Sequence, residues 1–209
     1  MSRLLCALFL LLASPLLLAQ PSPWVEGQHY QRLGTPQASA GQGVEVLEFF
    51  KYTCPACAVL EPKLAKWKAG KAADVRFEAI HVAWNPSAEA FARGYYAAEA
   101  LGLREDTHAA MFRAIHDEKT AFAKVEDIAN WYGLRGADRD KFKETMTSFA
   151  VNTKIQRAQS MLPRYAVSGT PTIVVGGLYS ADAISAGGYD QLVQLTDYLI
   201  EKVRKEGGS

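Results

Sequence analysis

Two cysteines three positions apart are the residues of this chain best suited to chemistry. They stand in Cys54-Pro55-Ala56-Cys57, between the β-rich run Val44 to Phe50 and a segment in which Leu60, Leu64 and Trp67 recur at helical spacing up to Gly70. A thiol attacks a disulfide only as thiolate, and a helix N-terminus favours that charge through its unpaired N–H groups and the positive end of its dipole. Cys54 falls at such a start. Pro55 suits the first turn, because its missing N–H would have had no partner within the helix. Cys57 follows one turn deeper on the same side, near enough to Cys54 to close a disulfide and less open to solvent. The spacing therefore assigns attack to Cys54 and resolution to Cys57.

Duller uses of the pair fit less well. Cross-linking so short a loop removes little entropy from the unfolded chain, so a purely structural disulfide is a weak reading. A zinc site needs two more ligands, and His108 and His116 are separated by seven residues, where paired histidine ligands usually have about three to five between them. No metal is expected, and no cofactor.

The elements that must position the cysteines can be read on either side of them. Val44-Glu45-Val46-Leu47-Glu48-Phe49-Phe50 is almost continuously apolar, as in a central strand covered on both faces, and Val75 to Val82 is a second strand. Strand, helix and strand make a βαβ unit. Beyond Pro86 the strand signal gives way to segments of helical periodicity at 87–101, 106–118, 124–133, 138–149 and 151–165, with Asp106 and Asp138 as expected N-caps. Sheet character returns in Pro171-Thr172-Ile173-Val174-Val175, a Gly176-Gly177 turn and Leu178-Tyr179-Ser180. A last helix is expected from Gly188 to Lys205, with Leu192, Leu195, Leu199 and Val203 on one face. The fold class is α/β, a thioredoxin-like mixed sheet with an inserted helical domain. Residues 20–85 and 166–209 make up the sheet part, with one short strand near Tyr30 to Leu33, and 86–165 the insertion.

Composition agrees with one globular unit. The chain has 209 residues, 49% hydrophobic and 22% charged, which excludes a disordered, fibrous or coiled-coil protein. Its net charge of +1 leaves no basic excess for nucleic-acid phosphates, so nucleic acid is not an expected partner. Residues 1–19 carry Arg3, the apolar run Leu4 to Leu12 and a small-residue end at Ala19, which reads as a cleaved secretory signal peptide. Ser14-Pro15 interrupts the run, so a membrane span of roughly 18 or more apolar residues is not formed. Cleavage discards Cys6 and leaves Cys54 and Cys57 alone.

The leader, Glu48-Phe49-Phe50 ahead of Cys54-Pro55-Ala56-Cys57, the helical block and Gly169-Thr170-Pro171-Thr172 together resemble the DsbA family of bacterial periplasmic thiol oxidases, over nearly the whole mature chain. That resemblance implies a redox-active Cys54–Cys57 disulfide with Pro171 lying against it in cis. It implies that the backbone of Thr170 pairs with an extended substrate peptide, and that Glu48 is the family's buried acid beneath Cys57. A carboxylate between Leu47 and Phe49 in a buried strand should in any case be desolvated and able to relay the proton of Cys57.

The family pattern is broken at two places. Many members have histidine where Ala56 stands, so a strongly acidic Cys54 is not carried over and a weaker oxidant is expected. Ala79 falls where a lysine often accompanies the acid, which leaves Glu48 unpaired or hydrated. His81 is read as a packing histidine and Lys51 as a solvated charge. Expected partners are reduced or unfolded exported proteins and a membrane quinone-linked oxidase of the DsbB type, with the protein a periplasmic monomer. The rivals are a disulfide isomerase or reductase, which Thr170 before the proline would suit, and a peptide-binding chaperone with an inert disulfide.

Overall fold

Residues 23–37 and 42–207 are described by the computed structural model; the expected signal peptide, 1–19, lies outside them. In chain order the elements are β1 (Gln31–Arg32), β2 (Val44–Phe50), α1 (Pro55–Ala69), β3 (Val75–His81), α2 (Pro86–Ala100), α3 (Arg104–His116), α4 (Val125–Gly133), α5 (Arg139–Met146), α6 (Phe149–Arg164), β4 (Thr172–Val175), β5 (Tyr179–Ala181) and α7 (Tyr189–Gly207).

All seven residues of β2 are buried, as its unbroken apolar character requires of a strand covered on both faces. It pairs in parallel with β3, with α1 as the crossover, and antiparallel with β4. The sheet order is β1-β5-β4-β2-β3, so β2 is an interior strand while β4 takes the middle place that the sequence suggests for β2. The sheet is mixed: the βαβ unit supplies its parallel pair, β2–β3, while β2–β4, the Gly176-Gly177 hairpin β4–β5 and β1–β5 are antiparallel.

As far as Phe49 the two-residue period of β2 divides the core; Phe50, at the strand's end, departs from it and joins the cluster of Leu47 and Phe49. Val44 and Val46 pack with Leu60, Leu64 and Trp67 of α1 and Leu192, Leu195 and Leu199 of α7. Leu47 and Phe49 face the other way, into a cluster shared with Tyr95, Phe112, Tyr132 and Phe142 of the helical block. Each fully buried side chain of this size contributes roughly 1.5–3 kcal/mol. By the same alternation Glu48 belongs to the face of Val44 and Val46, under α1.

Helices α2–α6 occupy the chain between β3 and β4, where helical spacing places them. Asp138 caps α5, accepting from the N–H groups of Asp140 and Lys141 at 3.0 Å. Asp106 is not a cap. The helix it was expected to open begins two residues earlier, at Arg104, with Leu103 in the N-cap position. Glu105 and Asp106 then sit in the first turn, where the helix dipole also favours acidic residues, so acid type alone does not locate the cap.

Candidate active site

The turn that joins β2 to α1 brings Cys54 to the N-cap of the helix in extended conformation, φ −91° and ψ 114°. Its N–H donates to the carbonyl of Lys51 at 3.1 Å, and its sulfur accepts from the N–H of Cys57 at 3.4 Å. Pro55 occupies the first turn, where no N–H is needed. Both cysteines are free thiols in this structure. Cys57 is fully buried, while the Cys54 residue retains 6% exposure.

The environment separates the two sulfurs chemically. Hydrogen bonding from the Cys57 thiol, helped by Thr170 and by the backbone N–H groups of Cys57 and Ala56, draws the Cys54 thiol down to about 5, against the opposing effect of burial. Burial, with the hydrogen bond to Cys54, drives the Cys57 thiol far up instead. At neutral pH Cys54 is a thiolate and Cys57 keeps its proton. Ala56 enters only through its backbone N–H, behind the Cys57 thiol and Thr170.

Across from Cys54 runs the loop before β4. The Thr170–Pro171 peptide bond is cis, and the Thr170 carbonyl oxygen lies 3.3 Å from the Cys54 sulfur, in position to accept from the thiol when it is protonated. Pro171 is buried and Thr170 half-buried. Pro55 is exposed and Ala56 half-buried at the mouth of the turn.

Glu48 is 2% exposed and stands in register with Ala79 of β3 and Ile173 of β4, so no lysine faces it across the sheet. Burial, reinforced by the Glu61 carboxylate, pushes its carboxyl up to about 8, and Lys68 pulls the other way. The charges of Glu48 and Cys54 bear on the buried Cys57 thiol, each raising it. Cys54, Cys57, Thr170, Pro171 and Glu48 are thus gathered around one turn.

His81 is fully buried with both nitrogens engaged: Nδ1–H donates to the Val82 carbonyl at 2.9 Å and Nε2 accepts the Tyr52 N–H at 3.1 Å. Burial lowers it to about 3, so it is a neutral packing histidine, as its setting in the strand suggests. Lys51 lies over the Trp84 ring at 5.7 Å and is not among the groups that acidify Cys54. Sequence reasoning missed Glu61, buried one helical turn beyond Cys57, and the hydrogen bond it accepts from His108 at 3.2 Å. A charged residue beside Leu60 on the apolar face of α1 was the available signal.

A family model for the DSBA-like thioredoxin domain matches residues 63–199. The thiol:disulfide interchange protein DsbA of Pseudomonas aeruginosa is 35% identical over 187 residues, 89% of each chain. That of Bordetella parapertussis is 35% identical over 206 residues, covering 98% of this chain and 97% of its own. The crystal structure of Pseudomonas aeruginosa DsbA superposes with a TM-score of 0.84 at 34% identity, over 89% of this chain and 97% of that one. The oxidoreductase DsbA from Xylella fastidiosa gives 0.81 at 33%, over 88% and 98%.

Proposed function

The chain belongs to the DsbA family of thiol:disulfide oxidoreductases, and from that premise we propose that it is a dithiol oxidase, donating a Cys54–Cys57 disulfide to reduced proteins outside the cytoplasm. The observation that carries this reading is the unequal pair of sulfurs at the start of α1. A low thiol pKa makes Cys54 a good leaving group and stabilises the reduced enzyme, and both effects favour giving the disulfide away.

The exchange runs in two displacements. A substrate thiolate attacks the Cys54 sulfur, the Cys54–Cys57 bond breaks, and the electron pair leaves on Cys57. That sulfur takes a proton, for which Glu48, held protonated near neutral pH by burial, is the nearby source. A second substrate thiolate then attacks the substrate sulfur of the mixed disulfide, and Cys54 departs as thiolate. Two substrate thiols are oxidised and one enzyme disulfide is reduced. Thr170 and the cis Pro171 are the residues that receive the substrate backbone beside Cys54, and Pro55 and Ala56 form the rest of that rim.

Reduced exported proteins are the substrates in this reading, a DsbB-type quinone-linked membrane oxidase restores the disulfide, and the periplasm is the compartment. The test is to mix the oxidised protein in equal amount with a reduced peptide bearing two cysteines. Formation of the peptide disulfide with matching appearance of Cys54 and Cys57 thiols is expected. Rearrangement of scrambled disulfides without net oxidation would make it an isomerase, and no exchange a peptide-binding chaperone.

A further inference from the structure

Three of the chain's four histidines converge on one residue that the mechanism does not use. Tyr52 lies two positions before Cys54 and is 1% exposed. Its N–H donates to His81 Nε2 at 3.1 Å, its carbonyl accepts from His116 Nε2–H at 2.7 Å, and its hydroxyl meets His108 Nδ1 at 2.9 Å. Every hydrogen-bonding group of the residue is therefore held by a different imidazole. His81 ends β3; His108 and His116 are one in the middle and one at the end of α3.

The bonds bear directly on the attacking sulfur. The peptide unit between Lys51 and Tyr52 gives its N–H to His81 and its carbonyl to the N–H of Cys54 at 3.1 Å, so one histidine anchors the group that orients the Cys54 backbone. The next peptide unit is anchored by His116 through the Tyr52 carbonyl. The third link closes a ring: His108 Nε2–H donates to Glu61 at 3.2 Å, and Glu61 belongs to α1, the helix that Cys54 caps. Unpaired polar groups here would be costly, since the surroundings are the rings of Phe50, Tyr95 and Phe112.

We propose that His116, His81 and His108 are positioning residues for exchange at Cys54, acting through Tyr52 to hold the two preceding peptide units so that the sulfur stays on the N–H groups that open α1. Helix α3 of the insertion is in this way part of the machinery that sets the reactivity of the turn. The inference rests on Cys54 being the attacking thiol.

The test follows the thiolate absorbance of the reduced protein against pH, and the equilibrium of the protein with glutathione, in the wild type, His116→Leu and His116→Gln. His116→Leu removes the donor to Tyr52; the Cys54 midpoint should rise by about 0.5–1 pH unit and the disulfide become about 3- to 10-fold harder to reduce, since one unit is a tenfold change. His116→Gln keeps an N–H within reach and should restore most of the difference. Should His116→Leu not fold, Tyr52→Phe deletes only the hydroxyl link and carries the test, with a rise of about 0.3 unit expected. A lowered thermal midpoint with unchanged Cys54 midpoint and glutathione equilibrium would reduce the histidines to packing and overturn the proposal. A wild-type protein without an acidic thiol would instead overturn the reading of Cys54 itself.

Discussion

The sulfur of Cys54 lies 3.3 Å from the carbonyl oxygen of Thr170, although 116 residues separate them in the chain. The sheet makes this contact unavoidable. Phe49 at the end of β2 pairs with Thr172 at the start of antiparallel β4, so the turn leaving β2 and the loop entering β4 meet at one edge. The five helices α2–α6 are carried between β3 and β4 without disturbing that meeting.

Cys57→Ser should accumulate mixed disulfides through Cys54, because the adduct then has no internal thiol to release it. Cys54→Ser should abolish dithiol oxidation and trap little, since the Cys57 thiol is fully buried and pushed far up by that burial. Non-reducing electrophoresis with a two-cysteine peptide distinguishes them, and equal trapping by both variants would overturn the assignment.

Ala56→His should make the protein a stronger oxidant. The Ala56 N–H already serves the Cys54 thiolate, and a side-chain donor or positive charge at the same place would add to it while leaving the oxidised form unaffected. A rise of at least about 30 mV in the reduction potential is expected, which for two electrons is about 1.4 kcal/mol. An unchanged potential with an unchanged Cys54 titration would mean that position 56 does not set the redox poise.

Glu48 should make the reduced protein lose stability as pH rises. Its folded value, about 8, lies above the ordinary 4.5, so the folded state holds a proton that the unfolded chain gives up between those limits. Its contribution is fully present below about pH 4.5, falls through the interval, and is gone above about 8, with a total of up to about 4–5 kcal/mol for a fully buried group. Urea denaturation of Glu48→Gln across that range should show a flatter profile than the wild type; parallel profiles would place the titration elsewhere.

Gly43→Ala should destabilise the junction that launches β2. Gly43 has φ +81°, and a Cβ there would stand 2.1 Å from the Asp74 carbonyl oxygen, which itself accepts the Val44 N–H at 2.8 Å. A cost of about 2–4 kcal/mol is expected from the left-handed backbone and the displaced carbonyl together, read as a lower urea midpoint.

The sheet and the cysteine turn were legible because their signals are local. An unbroken apolar heptapeptide, Val44 to Phe50, is a buried strand whatever surrounds it, and Cys54 before Pro55 at a helical onset needs no distant partner to be recognised. Glu48 could be read as buried from Leu47 and Phe49 beside it, and its place opposite Ala79 follows from parallel register. The group around Tyr52 was hidden for the opposite reason. Its links span 29, 56 and 64 residues: the first comes from β3 beside the turn, and the other two exist only because α3 packs against α1 and the turn, which no periodicity within α3 reveals. His108 and His116 invited a test for metal spacing, and failing it they carried no further signal. The start of α3 was misplaced at Asp106 because an acid suits a cap and a first turn alike.

The most direct measurement is alkylation of the reduced protein with iodoacetamide across the pH range, with the labelled cysteine located by mass spectrometry. Cys54 should be modified with a midpoint near pH 5 and Cys57 should stay unlabelled until the fold is lost. Parallel labelling of both cysteines, or a Cys54 midpoint near the ordinary thiol value of about 8.5, would contradict the assignment of Cys54 as the acidic, attacking sulfur.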